Sequence, residues 1–177
     1  VKITEVTPNR PWYERTMPPA VIKYYIRDDK LIKEFRNIMD ETGDEMIHNT
    51  NLRCEMTEYK SQLKPKYKKP FETFIGIIDD ILRTNDLGGL SVKDIWCAKY
   101  SSGDYAKPHC HSPAAWSFCY YLNQWVDFPT LEIDGWGSVE PDYGLLVFFP
   151  GWVVHEVKKK EWHYSKDRYV VAGNIER

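Results

Sequence analysis

Leu145-Leu146-Val147-Phe148-Phe149-Pro150-Gly151-Trp152-Val153-Val154-His155-Glu156-Val157 is the stretch on which the fold turns. Leu145–Phe149 reads as a short buried strand, Pro150-Gly151 as a tight turn and Val153–Val157 as the next strand. The same rhythm runs through everything after Leu90. Val92–Tyr100 precedes the turn signal Ser101-Ser102-Gly103-Asp104, and His109–His111, Trp116–Leu122, Thr130–Ile133 and Arg168–Ile175 complete the set. Many short strands at this spacing predict a sandwich or barrel of antiparallel sheets.

The first ninety residues read differently. Val21–Ile26 and Asn51–Tyr59 suit strands. Between them Leu31, Ile32, Phe35, Ile38 and Met39 recur at helical spacing, with Asp28 or Asp29 as the cap and Gly43 as the stop. Lys64–Pro70 is a polar, proline-punctuated loop leading into a second helix. That helix carries Phe71, Phe74, Ile75, Ile78, Ile81 and Leu82 on one stripe and ends over Asn85–Gly89. The expected organisation is one domain over 1–177: helical and strand support in 1–90, and a β core in 91–177 with the helices packed on one outer face.

Composition narrows the function. The chain has 177 residues, enough for a substantial core, and a net charge of −2, so no global field draws it to nucleic acid. Aromatic residues at 15%, seven of them tryptophan, favour a β-rich fold. No apolar run reaches membrane-spanning length, and Val1 to Arg10 contains no secretory h-region. Cys54, Cys97, Cys110 and Cys119 form neither a CxxC pair nor a disulfide framework, so reduced thiols and a cytoplasmic location are expected.

Three of the five histidines form a pattern. On a strand, His109 and His111 share one face, and Cys110 faces the other way, packing behind them. His155, at a distant strand end, can complete one side of a metal site, since neutral imidazole suits iron, zinc, copper or nickel. Arg168 opens the last strand, where Val170, Ala172 and Asn174 share its face. Asn174 could line the same cavity. Trp136 and Trp152 could form a rim, although buried packing is the default expectation for both.

In order, His109-Cys110-His111, Tyr120-Tyr121-Leu122-Asn123, Gly144–Pro150, His155-Glu156-Val157 and Arg168-Tyr169 resemble the catalytic core of the Fe(II)/2-oxoglutarate-dependent oxygenases, in particular the prolyl 4-hydroxylase-like group. The resemblance covers about the C-terminal eighty residues and rests on order and spacing. It implies a mainly β fold with some α, a double-stranded β-helix (jelly roll), with Fe(II) and 2-oxoglutarate as cofactor and cosubstrate and ascorbate as an accessory reductant. His109 and His155 would be metal ligands. Arg168 would grip the far carboxylate of 2-oxoglutarate, with Tyr121 donating to the same group and Tyr100 approaching from another side. Asn174 and Trp152 would be outer or substrate contacts. The implied reaction is hydroxylation of a C–H bond with release of succinate and CO2, on a peptide (prolyl residues included) or a small molecule.

The chain departs from that family at His111, where a carboxylate is usual. Three neutral histidines leave an Fe(II) site near a charge of about +2 rather than about +1. Three arrangements are open: His111 as third ligand, a water in its place, or an acid such as Asp104, Glu132 or Asp134 reaching in. The strand period favours His111. Cupins are similar at Gly103–His111 and in the Pro150–His155 spacing, but their glycine is displaced here to Gly151. The glutamate they carry soon after the histidine pair is also absent. A cupin-type three-histidine dioxygenase that does not use 2-oxoglutarate, and a non-catalytic jelly-roll binding module, are the alternatives.

Overall fold

The computed structural model describes residues 3–6, 21–42, 51–85, 87–163 and 165–177. Gly43 and most of Val1–Arg10 lie outside the described residues. The elements are β1 (Ile3–Val6), β2 (Ile22–Ile26), α1 (Asp29–Thr42), β3 (Leu52–Arg53), β4 (Glu55–Met56), α2 (Lys68–Thr84), β5 (Ser91–Tyr100), β6 (Tyr105–His109), β7 (Trp116–Tyr121), β8 (Leu131–Ile133), β9 (Gly137–Val139), β10 (Leu145–Pro150), β11 (His155–Val157) and β12 (Arg168–Glu176). They form a seven-stranded sheet, β1-β2-β10-β7-β12-β5-β4, and a five-stranded sheet, β3-β6-β11-β8-β9. All the pairings are antiparallel. This is the expected jelly roll.

Strand alternation sorts the side chains of the large sheet into two cores. Ile95, Cys97, Phe118, Tyr120, Leu146, Phe148 and Val171 face the helices. Trp96, Ala98, Tyr100, Cys119, Tyr121, Leu145, Val147, Phe149 and Val170 face the small sheet. The helices cover the first set. Leu31, Ile32, Phe35, Ile38 and Met39 of α1 are buried, and the Leu31 amide donates to Asp28 Oδ1 at 3.0 Å, which makes Asp28 the cap. Phe71, Phe74, Ile77, Ile78, Ile81 and Leu82 form the buried stripe of α2, with Ile77 in the place expected for Ile75. Phe74 lies over Tyr120 with ring centroids 4.8 Å apart. Phe118 needs the room that Gly173 leaves, because a Cβ there would sit 2.5 Å from its ring.

The stretch expected to be one strand over Asn51–Tyr59 is two. Leu52–Arg53 pairs with β6 in the small sheet, and Glu55–Met56 pairs with β5 in the large one. The chain changes sheets at the buried Cys54, tying the two layers together at one side. The first ninety residues therefore supply strands to both sheets as well as the helical layer. None of the helices among the described residues is long and apolar enough to cross a membrane.

Candidate metal centre and anion pocket

His109 closes β6 and His155 opens β11, and the antiparallel register sets them directly opposite each other. Their ring centroids are 4.3 Å apart, and His111 stands 5.0 Å from each. The ligand-capable atoms of the three lie within 4.8 Å of one another, and among the described residues this is the one such grouping. His111 is not on the strand. β6 ends at His109, and Cys110 and His111 follow in a loop.

That loop is held by the turn after β10. The His111 amide donates to Gly151 O at 2.6 Å, and the Ala114 amide donates to His111 O at 2.8 Å. The approach is so close that a Cβ on Gly151 would lie 2.2 Å from Ala114 O. Cys110 is exposed and does not pack behind the site as expected.

The proton positions suit metal binding. His109 Nδ1 lies 2.6 Å from Lys107 O and His155 Nδ1 lies 3.1 Å from Val153 O. A carbonyl only accepts, so Nδ1 carries the proton and Nε2 keeps its lone pair. Burial lowers the basicity of all three rings. His111 falls to about 3 and His155 to about 4, each by desolvation first and by the neighbouring imidazoles second, and His109 is lowered by desolvation. The trio is neutral at physiological pH.

None of the three candidate acids joins them. Glu132 accepts from Thr130 and from Ser138 Oγ, 2.7 Å, on the outer side of its hairpin. Asp104 Oδ2 accepts the Ser101 amide at 2.8 Å within its own turn, and Asp134 is exposed.

A cavity between the sheets joins the histidines to Arg168. It is lined by His109, His111, His155, Trp96, Tyr100, Cys119 and Arg168 among apolar side chains such as Leu131, Phe149 and Val170. No acidic side chain lines it among the described residues. Arg168 is 1% exposed and faces Tyr100 across the β12–β5 register. Its Cζ lies 4.7 Å from the Tyr100 ring centroid and 5.2 Å from that of Tyr121. Arg168 Nε and Nη1 and the Tyr121 hydroxyl are buried without a hydrogen-bond partner, and Arg168 makes no ion pair among the described residues. A buried guanidinium without a counter-ion costs several kcal/mol, about 3–5 in measured cases, and an anion is the ligand that would offset that cost. Burial, first among the causes, raises the Tyr100 and Tyr121 phenols, so both stay protonated and able to donate.

Asn174 shares the face of Arg168 but lies outside this cavity, and its Oδ1 accepts from Ser117 Oγ at 3.0 Å. Trp152 and Trp136 are not buried. They are 63% and 44% exposed and meet edge to face at 6.3 Å, on the turns beside β11 and between β8 and β9. Trp96, absent from the expected set, touches His111 at 5.7 Å. Its parity with Tyr100 along β5 is the signal that points to it.

No protein-family model matches the sequence, and no curated protein matches it. Solved structures do match. A Pseudomonas putida prolyl-4-hydroxylase is 19% identical, covers 89% of this chain and 92% of its own, and superposes with a TM-score of 0.68. A viral collagen prolyl hydroxylase from Paramecium bursaria Chlorella virus-1, solved as a 2-oxoglutarate complex, is 14% identical over 88% of this chain and 95% of its own, with a TM-score of 0.65. HygX from Streptomyces hygroscopicus, solved with nickel and 2-oxoglutarate bound, is 11% identical over 96% of this chain and 87% of its own, with a TM-score of 0.64. The chain therefore has the double-stranded β-helix fold of the prolyl 4-hydroxylases and other 2-oxoglutarate–Fe(II) oxygenases.

Proposed function

We propose that the protein is an Fe(II)- and 2-oxoglutarate-dependent dioxygenase that hydroxylates a C–H bond of a peptide or small-molecule substrate. The observation that carries this reading is the buried Arg168 guanidinium, whose Nε and Nη1 lack hydrogen-bond partners and which makes no ion pair among the described residues, sharing one cavity with three neutral histidines. A dicarboxylate with a metal-chelating end satisfies both features at once.

In this reading His109, His111 and His155 hold the iron. Arg168 binds the distal carboxylate through paired N–H donors and keeps its charge at any accessible pH. Tyr121, and Tyr100 beside it, donate their phenolic protons to the same group. The apolar walls keep water from the metal, which strengthens each of these interactions. Iron and 2-oxoglutarate, when bound, supply the oxidising chemistry of this enzyme class, coupling oxygen activation to release of succinate and CO2. Asn174 then acts from outside the cavity by fixing Ser117, and Trp152 stands at the rim on the substrate side. Two structural neighbours are prolyl hydroxylases, which makes prolyl-containing peptides the first substrates to screen.

The three-histidine donor set also suits a cupin-type dioxygenase that dispenses with 2-oxoglutarate, but that reading leaves Arg168 unpaired. Incubation in air with Fe(II), 2-oxoglutarate and ascorbate, followed by NMR, separates the two. Succinate that accumulates with iron and is lost in Arg168→Met supports the proposal. Oxygen uptake indifferent to 2-oxoglutarate supports the cupin-type reading.

A further inference from the structure

Two rings, Trp96 and Tyr59, run in contact from His111 to solvent, and nothing in the proposed reaction uses either of them. Trp96 on β5 is 3% exposed, lines the cavity and lies 5.7 Å from the His111 ring. Trp96 also meets Tyr59 edge to face, with centroids 5.1 Å apart and planes at 81°. Tyr59 is 44% exposed. Tryptophan and tyrosine are among the most easily oxidised side chains, and here they are in series. The other oxidisable groups in the cavity wall, Tyr100 and Cys119, are buried and touch no exposed ring among the described residues.

We propose that Trp96 and Tyr59 form an electron relay that returns the metal site to Fe(II) when 2-oxoglutarate is consumed with no substrate in place. The inference rests on the function proposed above. Without a C–H bond to oxidise, oxygen and 2-oxoglutarate leave two oxidising equivalents at the metal. Trp96 yields one electron through His111. Tyr59 refills Trp96 and loses its phenolic proton, which its exposure lets water accept. The neutral Tyr59 phenoxyl then takes a hydrogen atom from an external ene-diol reductant of the ascorbate class. Two passages deliver two electrons. With two protons from water, the second oxygen atom of O2 leaves as water, Fe(II) is restored and one ene-diol has become a diketone. The division of labour follows burial: the enclosed indole carries charge, and the exposed phenol carries out the coupled loss of a proton.

The test mixes anaerobic protein, Fe(II) and 2-oxoglutarate with oxygenated buffer, without substrate, and reads freeze-quenched samples by electron paramagnetic resonance. Wild type is expected to show a tyrosyl signal that narrows when the protein is made with ring-deuterated tyrosine. Tyr59→Phe keeps the ring contact and loses the signal, and mass spectrometry then finds added oxygen on Trp96. Trp96→Phe also loses the signal although Tyr59 is intact. A tyrosyl signal of undiminished size in Tyr59→Phe would overturn the relay. So would wild type that forms the anaerobic cosubstrate chelate and consumes 2-oxoglutarate with no tyrosyl signal, and this outcome leaves the functional reading standing. Wild type that forms no chelate overturns both.

Discussion

His109 and His155 are cross-strand partners: the last residue of β6 faces the first residue of β11, with rings 4.3 Å apart. Two of the proposed metal ligands are thus positioned by sheet register, and a one-residue slip would turn one of them to the other face. The third, His111, is fixed differently, by a loop clamped to Gly151. The site is therefore set by strand register on two sides and by backbone hydrogen bonds of a loop on the third.

Replacing each histidine with alanine is expected to lower affinity for Fe(II), or for Co(II) as an air-stable probe, in anaerobic calorimetry. Each loss should exceed the roughly 10- to 100-fold that removing an outer-shell partner costs. His111→Asp should restore binding, because it returns an oxygen ligand to the same loop position. Unchanged affinity in His111→Ala would remove His111 from the ligand set.

Arg168→Met should stabilise the metal-free, cosubstrate-free protein, since it replaces a buried unpaired cation with an apolar chain of similar length. A gain on the order of 1–4 kcal/mol is expected in urea unfolding. The same variant should lose the stabilisation that 2-oxoglutarate gives the wild type in the presence of metal. A destabilised Arg168→Met would mean that the guanidinium has a structural partner.

The metal-free protein should lose stability as pH falls below about 6.5, the value for histidine in the unfolded chain. In the folded state His155 is held down at about 4 and His111 at about 3. Between these values the unfolded chain binds more protons, so unfolding free energy rises with pH across the window. The slope per histidine is at most about 1.4 kcal/mol per pH unit, and it flattens once pH drops below the folded values. Urea midpoints at pH 7 and pH 5 measure it, and the three-alanine variant should show a shallower dependence.

Gly151→Ala places a Cβ 2.2 Å from Ala114 O, so either the turn or the His111 loop must move. A destabilisation of about 1–3 kcal/mol is expected, as for other overpacked sites. Metal affinity should fall even though no ligand has been changed, and circular dichroism should show the fold retained.

Much of this was legible in the sequence, for reasons that differ by residue. The family resemblance assigned Tyr100 and Arg168 to one pocket, and the register makes them opposite neighbours. The helical stripes were legible because Phe35, Phe71 and Phe74 repeat at the helical period and are all buried. β9 was not legible: three residues, Gly137–Val139, are too few to display a period. The change of sheet at Cys54 was hidden because both halves of the segment look like strand. The exposure of Trp152 was missed because tryptophan is usually buried and nothing local marks a rim. His111 does lie beside His109 and His155, but loop packing rather than the expected strand period brings it there.

The central claim is that one cavity holds a metal on three histidines and 2-oxoglutarate on Arg168. Anaerobic addition of 2-oxoglutarate to the Fe(II)-loaded protein, followed by visible spectroscopy, tests it most directly. The account predicts the weak metal-to-ligand absorption of a bidentate chelate, saturating with 2-oxoglutarate in wild type and requiring a far higher concentration in Arg168→Met. No absorption in wild type that demonstrably binds iron, or equal affinity in the two proteins, would contradict it.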